Sequence, residues 1–93
     1  MILVILAQAQ RDLTEIYEFI ARDSRPAARE TLERITGIIR QLADGELKGP
    51  EIALRTGRRV RRWSVPPYWI YYRRTEQRTV VLRVYHQARW PLE

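Results

Sequence analysis

The side chains able to do chemistry crowd into the last third of the chain. Arg83, His86 and Arg89 fall within seven residues, with Tyr85 between them and Tyr71 one strand-length earlier. Guanidinium groups neutralise a phosphate, an imidazole titrates near neutrality, and a phenol ring stacks on a base. That set could transfer protons around a phosphodiester. A second set, Arg61, Arg62, Trp63, Trp69, Tyr71 and Arg73, interleaves arginine with aromatic rings. Arginine and tryptophan in that arrangement suit stacking and phosphate contact, or the hot spot of a protein interface.

These residues must be positioned by a small framework. Residues 2–6 are continuously apolar and of strand length, consistent with a strand covered on both faces. From Gln8 the period becomes helical: Ala9, Leu13, Ile16, Tyr17 and Ile20 form one stripe, with Arg11, Asp12, Glu15, Glu18 and Arg22 opposite. Ser24 and Pro26 are the cap and first-turn proline of a second helix. Its stripe is Ala28, Leu32, Ile35, Ile39 and Leu42, and Gly45 is placed to end it in the left-handed conformation. So short a connection folds the two helices antiparallel. Phe19 and Ile38 widen their apolar faces beyond what one sheet covers, so each is either core or the lining of a groove for an amphipathic partner segment.

Residues 44–57 show no clear period and read as a loop. Three strands are expected after it, at 58–65, 68–73 and 79–86, separated by Pro66-Pro67 and by residues 75–78. The predicted fold is α+β: an N-terminal strand, an antiparallel two-helix hairpin and a three-stranded antiparallel meander, helices on one face, one domain over residues 1–93. Alternation puts Tyr68, Ile70 and Tyr72 on one side of their strand and Trp69, Tyr71 and Arg73 on the other. In the last strand Val80, Leu82, Val84 and His86 are expected toward the helices, and Val81, Arg83 and Tyr85 away from them. The face away from the helices would then carry Trp69, Tyr71, Arg73, Arg83 and Tyr85. Parity makes His86 a helix-side residue at a strand end, where a histidine is more often structural than catalytic.

Composition narrows the function classes. The 93 residues carry 17 basic and 11 acidic side chains, a net charge of +6. Residues 1–54 hold seven basic and nine acidic residues, whereas 55–93 hold ten arginines against two acids. A basic field on one half attracts nucleic acid, a ribosome or an acidic protein. With no cysteine and one histidine, disulfide scaffolds, thiolate chemistry and a histidine-rich metal site are excluded, and no metal or other cofactor is expected. No apolar run has membrane-span length and residues 1–7 lack a signal-peptide pattern, which predicts a soluble cytoplasmic protein with no membrane partner.

Four phrases in order are similar to the ParE/RelE toxin superfamily of type II toxin–antitoxin systems. They are Ala9-x-x-Asp12-Leu13-x-Glu15-Ile16-x-x-Phe19-Ile20-Ala21; Pro26-Ala27-Ala28; the stretch from Arg61 to Arg73, resembling "RRWPVGPYVIYYR"; and the stretch from Val81 to Arg89, resembling "ILRVLHGARD". The resemblance covers nearly the whole chain and implies a cognate antitoxin, in a toxin–antitoxin hetero-oligomer. It implies one of two targets. RelE-like members cut mRNA on the ribosome; ParE-like members poison DNA gyrase by binding. The RelE phrase "G-x-Y-R-I/L" aligns with Pro66-Pro67-Tyr68-Trp69-Ile70, so its arginine position holds Trp69, and no tyrosine follows Arg89. The stretch around Trp63 resembles the ParE branch more closely. The expectation is therefore a ParE-like gyrase poison without catalytic residues. It would contact its target through Arg61, Arg62, Trp63, Trp69, Tyr71, Arg73, Arg83 and Arg89, and its antitoxin through Phe19 and Ile38. The alternative is a metal-free endoribonuclease using Arg83, His86 and Arg89. Two departures stand out: Ala7-Gln8 replaces the family's helix-starting Ser-Pro, and Arg89-Trp90 its closing Arg-Asp.

Overall fold

The computed structural model describes residues 2–88. In chain order the elements are β1 (Ile2–Ile5), α1 (Ala7–Ala21), α2 (Arg25–Asp44), β2 (Glu51–Ala53), β3 (Arg59–Val65), β4 (Tyr68–Arg74) and β5 (Arg78–His86). The strands form one sheet in the order β1-β5-β4-β3-β2. β1 runs parallel to β5 and every other pairing is antiparallel. The helices pack against each other and on one face of the sheet, α1 along β5 and α2 across β3 and β5.

The helix boundaries follow from local chemistry. Ser24 Oγ accepts from the Ala27 N–H at 3.2 Å, Pro26 lies in the first turn of α2, and Gly45 ends it at φ 81°. At α1 the N-cap is Leu6, which has no side-chain oxygen to offer. The Gln10 amide instead donates to the Ile5 carbonyl at 3.0 Å, holding the strand–helix corner.

The core lies between helices and sheet. Ala9, Ile35, Ile39 and Leu42 meet Val65, Tyr68, Ile70, Tyr72, Val81 and Val84. β4 alternates as expected, with Tyr68, Ile70 and Tyr72 inward. β5 does not. Tyr71 pairs with Arg83 but Tyr72 pairs with Val81, so Leu82 is an extra, unpaired residue. A bulge of this kind reverses the side-chain parity on one side of it. Val81, expected outward, is therefore fully buried against the helices, while Val80 and Leu82 are only half-buried. Residues beyond the bulge keep the expected faces.

A second departure is β2. The region read as loop contains a three-residue strand, with Ile52 opposite Val60 and Glu51 opposite Arg61. Its pattern is too short to register as alternation; the neighbouring strand makes it a strand. The preceding turn is pinned from inside, since the Gly49 N–H donates to the buried Tyr72 phenol oxygen at 2.7 Å and Arg61 Nη1 donates to the Gly49 carbonyl at 2.8 Å.

Thr79 is completely buried, and its hydroxyl has no hydrogen-bond partner among the described residues. Replacing the hydroxyl by a methyl removes an unmet desolvation cost of about 1 kcal/mol. Thr79→Val should therefore raise the melting temperature by about 4–8 °C for a domain of this size. A lowered melting temperature would contradict this account of the site.

Candidate functional site

Two surfaces flank β5. The first is the outer face of β3, β4 and β5, away from the helices. The Arg62 guanidinium lies 3.9 Å over the Trp69 ring centroid, and the Arg83 guanidinium 4.2 Å over Tyr85. Tyr85 in turn meets Tyr71 edge-on, with ring centroids 6.3 Å apart. Such stacks fix each guanidinium in orientation, which lowers the ordering cost of presenting its charge to an anionic group. Arg73 is exposed at one end of the same face, and Trp69 is half-buried.

The structure divides the residues expected to meet a target. Arg62, Trp69, Tyr71, Arg73 and Arg83 share the outer face. Arg61 and Trp63 point to the opposite side, because register pairs Arg61 with Tyr72 and Trp63 with Ile70. Trp63 packs against the core, and Arg61 is occupied by the Gly49 carbonyl. Tyr71 corrects another expectation: it lies on the outer face yet is only 1% exposed, so its ring supports Tyr85 rather than standing open. Arg89 lies outside the described residues.

The second surface is a groove of about 550 Å³ between α1 and the end of β5. Ile16, Phe19, Tyr68 and Val84 form its apolar lining, and Glu15, Glu18, Arg22 and His86 its polar rim. Phe19 is 68% exposed, the most open large apolar side chain described. Ile38 does not join it; that side chain is half-buried against the core. His86 is exposed at the strand end, with Nδ1 accepting from the Ala88 N–H at 3.0 Å and the ring edge-on to Tyr68.

Asp12 sits at the base of this groove and overturns its expected place on the polar side of α1. It is 5% exposed. One carboxylate oxygen accepts from Arg83 Nε at 2.8 Å and from the Val84 N–H at 3.0 Å; the other accepts from Arg83 Nη2 at 3.0 Å. β1 pairs with β5 only as far as Val81, and Asp12 takes over where that pairing stops, satisfying an edge N–H that would otherwise be orphaned. The hydrogen-bonded carboxylate holds the Arg83 guanidinium above its usual pKa range, against an opposing effect of burial. A signal was present in the sequence: Asp12 lies three residues after Ala9 and four before Ile16, on the buried stripe. Arg83 is thus clamped by Asp12 on one side and Tyr85 on the other. It and His86 lie on opposite sides of β5, separated by that pairing.

Residues 3–91 match a family model described as "ParE toxin of type II toxin-antitoxin system, parDE". The chain belongs to the ParE toxin family. A solved structure described as the chromosomal ParDE TA system from P. aeruginosa is similar in fold to this ParE-family chain, with a TM-score of 0.75 and 19% identity, over 92% of this chain and 95% of that one. Comparison with curated proteins returns no match. Among the described residues of this ParE-type toxin, no helix is long and apolar enough to cross a membrane.

Proposed function

We propose that this ParE-type toxin acts as a single domain over residues 1–93, arrests growth in the cytoplasm by binding DNA gyrase, and is held inactive by a cognate antitoxin. The observation that carries the reading is the outer sheet face, where Arg62 stacked on Trp69 shares a cationic and aromatic patch with the exposed Arg73. Such a patch suits target capture, because hot spots concentrate tryptophan and arginine held in packed surroundings. Arg83 supports the patch from beneath through Asp12 and Tyr85. The antitoxin contact is the α1 groove, where an amphipathic segment would bury the open Phe19 ring. Likeness in fold to a ParDE toxin–antitoxin system supports an antitoxin partner.

The test is the supercoiling activity of purified gyrase with the toxin added, alongside Trp69→Ala. The parent should inhibit. Trp69→Ala should need about thirtyfold more protein for the same inhibition, the effect of losing a hot spot of about 2 kcal/mol, with its circular dichroism unchanged. Supercoiling untouched at large excess would overturn the proposal. So would protein synthesis failing before DNA synthesis on expression without antitoxin, which would instead favour RNA cleavage.

A further inference from the structure

We propose that the free edge of β1 is a self-association surface, on which a second copy of this chain pairs its own β1 antiparallel across a two-fold axis at Leu3. β1 is the end strand of the sheet. The Ile2 N–H donates to the Gln77 carbonyl and the Leu6 N–H to the Val81 carbonyl, so the backbone groups of alternate residues 2, 4 and 6 face β5. Those of Leu3 and Ile5 face outward. The Ile5 carbonyl is taken by Gln10, which leaves the Leu3 N–H, the Leu3 carbonyl and the Ile5 N–H along the edge with no partner among the described residues. A donor and an acceptor on one residue can satisfy themselves by symmetry. The Leu3 N–H donates to the carbonyl of Leu3 of the partner subunit, and the reverse bond forms across the axis.

The side chains agree with that occupant. Ile2 is 55% exposed, Leu3 37% and Leu6 40%, three of the four large apolar residues most open to solvent. No charged residue, proline or bulge protects the edge, the usual devices against strand pairing. The opposite edge has them: β2 is three residues long, follows Pro50, and carries Glu51 paired with Arg59. In a chain that is 30% charged, residues 1–10 contain no charged side chain. The seam would therefore bring no like-charged side chains together, although each copy carries +6. An acidic partner segment would find nothing on β1 itself to pair with, whereas an identical strand is matched in polarity and shape. The cation in register with Ile2, Arg78, stands one strand back.

Residual repulsion between two basic copies gives the interface a distinctive sign. Raising the salt from about 0.1 M to about 1 M shortens the Debye length from about 10 Å to about 3 Å, so association should tighten rather than weaken. The experiment is sedimentation of the chain purified free of antitoxin, at both salts, with amide hydrogen exchange read at Leu3. The expected result is a dimer, tighter at high salt, with the Leu3 amide protected. Ile2→Lys, at a largely exposed position that spares the core, should raise the dimer dissociation constant by about thirtyfold or more by placing a charge in the seam. Its melting curve reports whether the monomer stays folded. Ala53→Lys on the opposite edge should leave the dimer unchanged. A chain that stays monomeric at both salts overturns the proposal, as does a dimer indifferent to Ile2→Lys. Protection of Leu3 that arises only when antitoxin is added would also overturn it, assigning the edge to the antitoxin instead.

Discussion

Asp12→Ala should destabilise the protein by about 3 kcal/mol, the low end of what breaking a buried ion pair costs, because the Arg83 side chain keeps 27% of its exposure. The substitution removes three hydrogen bonds at once. It leaves a guanidinium without its carboxylate and the Val84 N–H without an acceptor on a strand edge that β1 does not reach. For a domain of this size that corresponds to a fall of roughly 12–24 °C in melting temperature. Arg83→Met should destabilise by a similar amount: Asp12 would keep the Val84 N–H, but its carboxylate, with the side chain 4% exposed, would be left buried without its cation. The pair Asp12→Ala with Arg83→Met should recover part of the loss, since removing both charges avoids leaving one stranded. Thermal denaturation of the four proteins gives the coupling directly. An Asp12→Ala protein melting within a few degrees of the parent would refute the clamp. The same series separates two roles for Arg83: if it positions Tyr85 rather than meeting the proposed gyrase target itself, inhibition by folded Arg83→Met should persist while its stability falls.

Gly49→Ala is expected to have the second largest effect, about 2–3 kcal/mol or more, the cost of forcing a methyl group into a filled space. A Cβ at Gly49 would overlap the Arg62 carbonyl oxygen, with the Arg62 carbonyl carbon at 2.9 Å and the Tyr72 phenol oxygen at 3.2 Å. Neither obstacle is the loose end of a side chain. Arg62 is backbone in the middle of β3, its N–H bonded to the Pro50 carbonyl, and Tyr72 is buried. The turn must therefore lift away from β3, breaking the Gly49–Tyr72 and Arg61–Gly49 hydrogen bonds and unpairing β2. Faster amide exchange at Ile52, Val60 and Arg62, together with a lower melting temperature, would report this. A Gly49→Ala protein with unchanged exchange would show that the turn tolerates the methyl group. Because Arg62 also stacks on Trp69, the proposed gyrase inhibition should weaken alongside stability.

Much of the framework was legible in the order of residues. The polar cap at Ser24, the proline at 26 and the glycine at 45 delimit α2, and the Tyr68–Ile70–Tyr72 alternation assigns the faces of β4. These features report local preference: dihedral limits, a nearby hydrogen bond, a repeat of 3.6 or 2 residues. The missing Ser-Pro at the start of α1 was equally plain, and the structure shows Leu6 where a capping side chain would stand. Local pattern is silent where a partner distant in sequence decides. Strict alternation could not place Val81, because the extra residue at Leu82 is visible only once β4 is laid beside β5. Nor could a three-residue segment announce itself as β2 without β3 to pair with.

The candidate site divides along the same line. Composition and spacing by themselves determined that the second half is arginine-rich and aromatic, that no thiolate or histidine-cluster chemistry is available, and that Trp69 and Arg73 share a face. Tertiary structure alone decided that Arg61 and Trp63 turn inward, that Tyr71 is buried, and that Asp12 reaches across 71 positions to hold Arg83. It also decided that β1, apolar enough for a covered strand, lies at an edge. The physical reason is common to all four. Whether a side chain meets solvent, a ring or a carboxylate depends on which strands pair and in what register, and these are contacts between residues far apart along the chain.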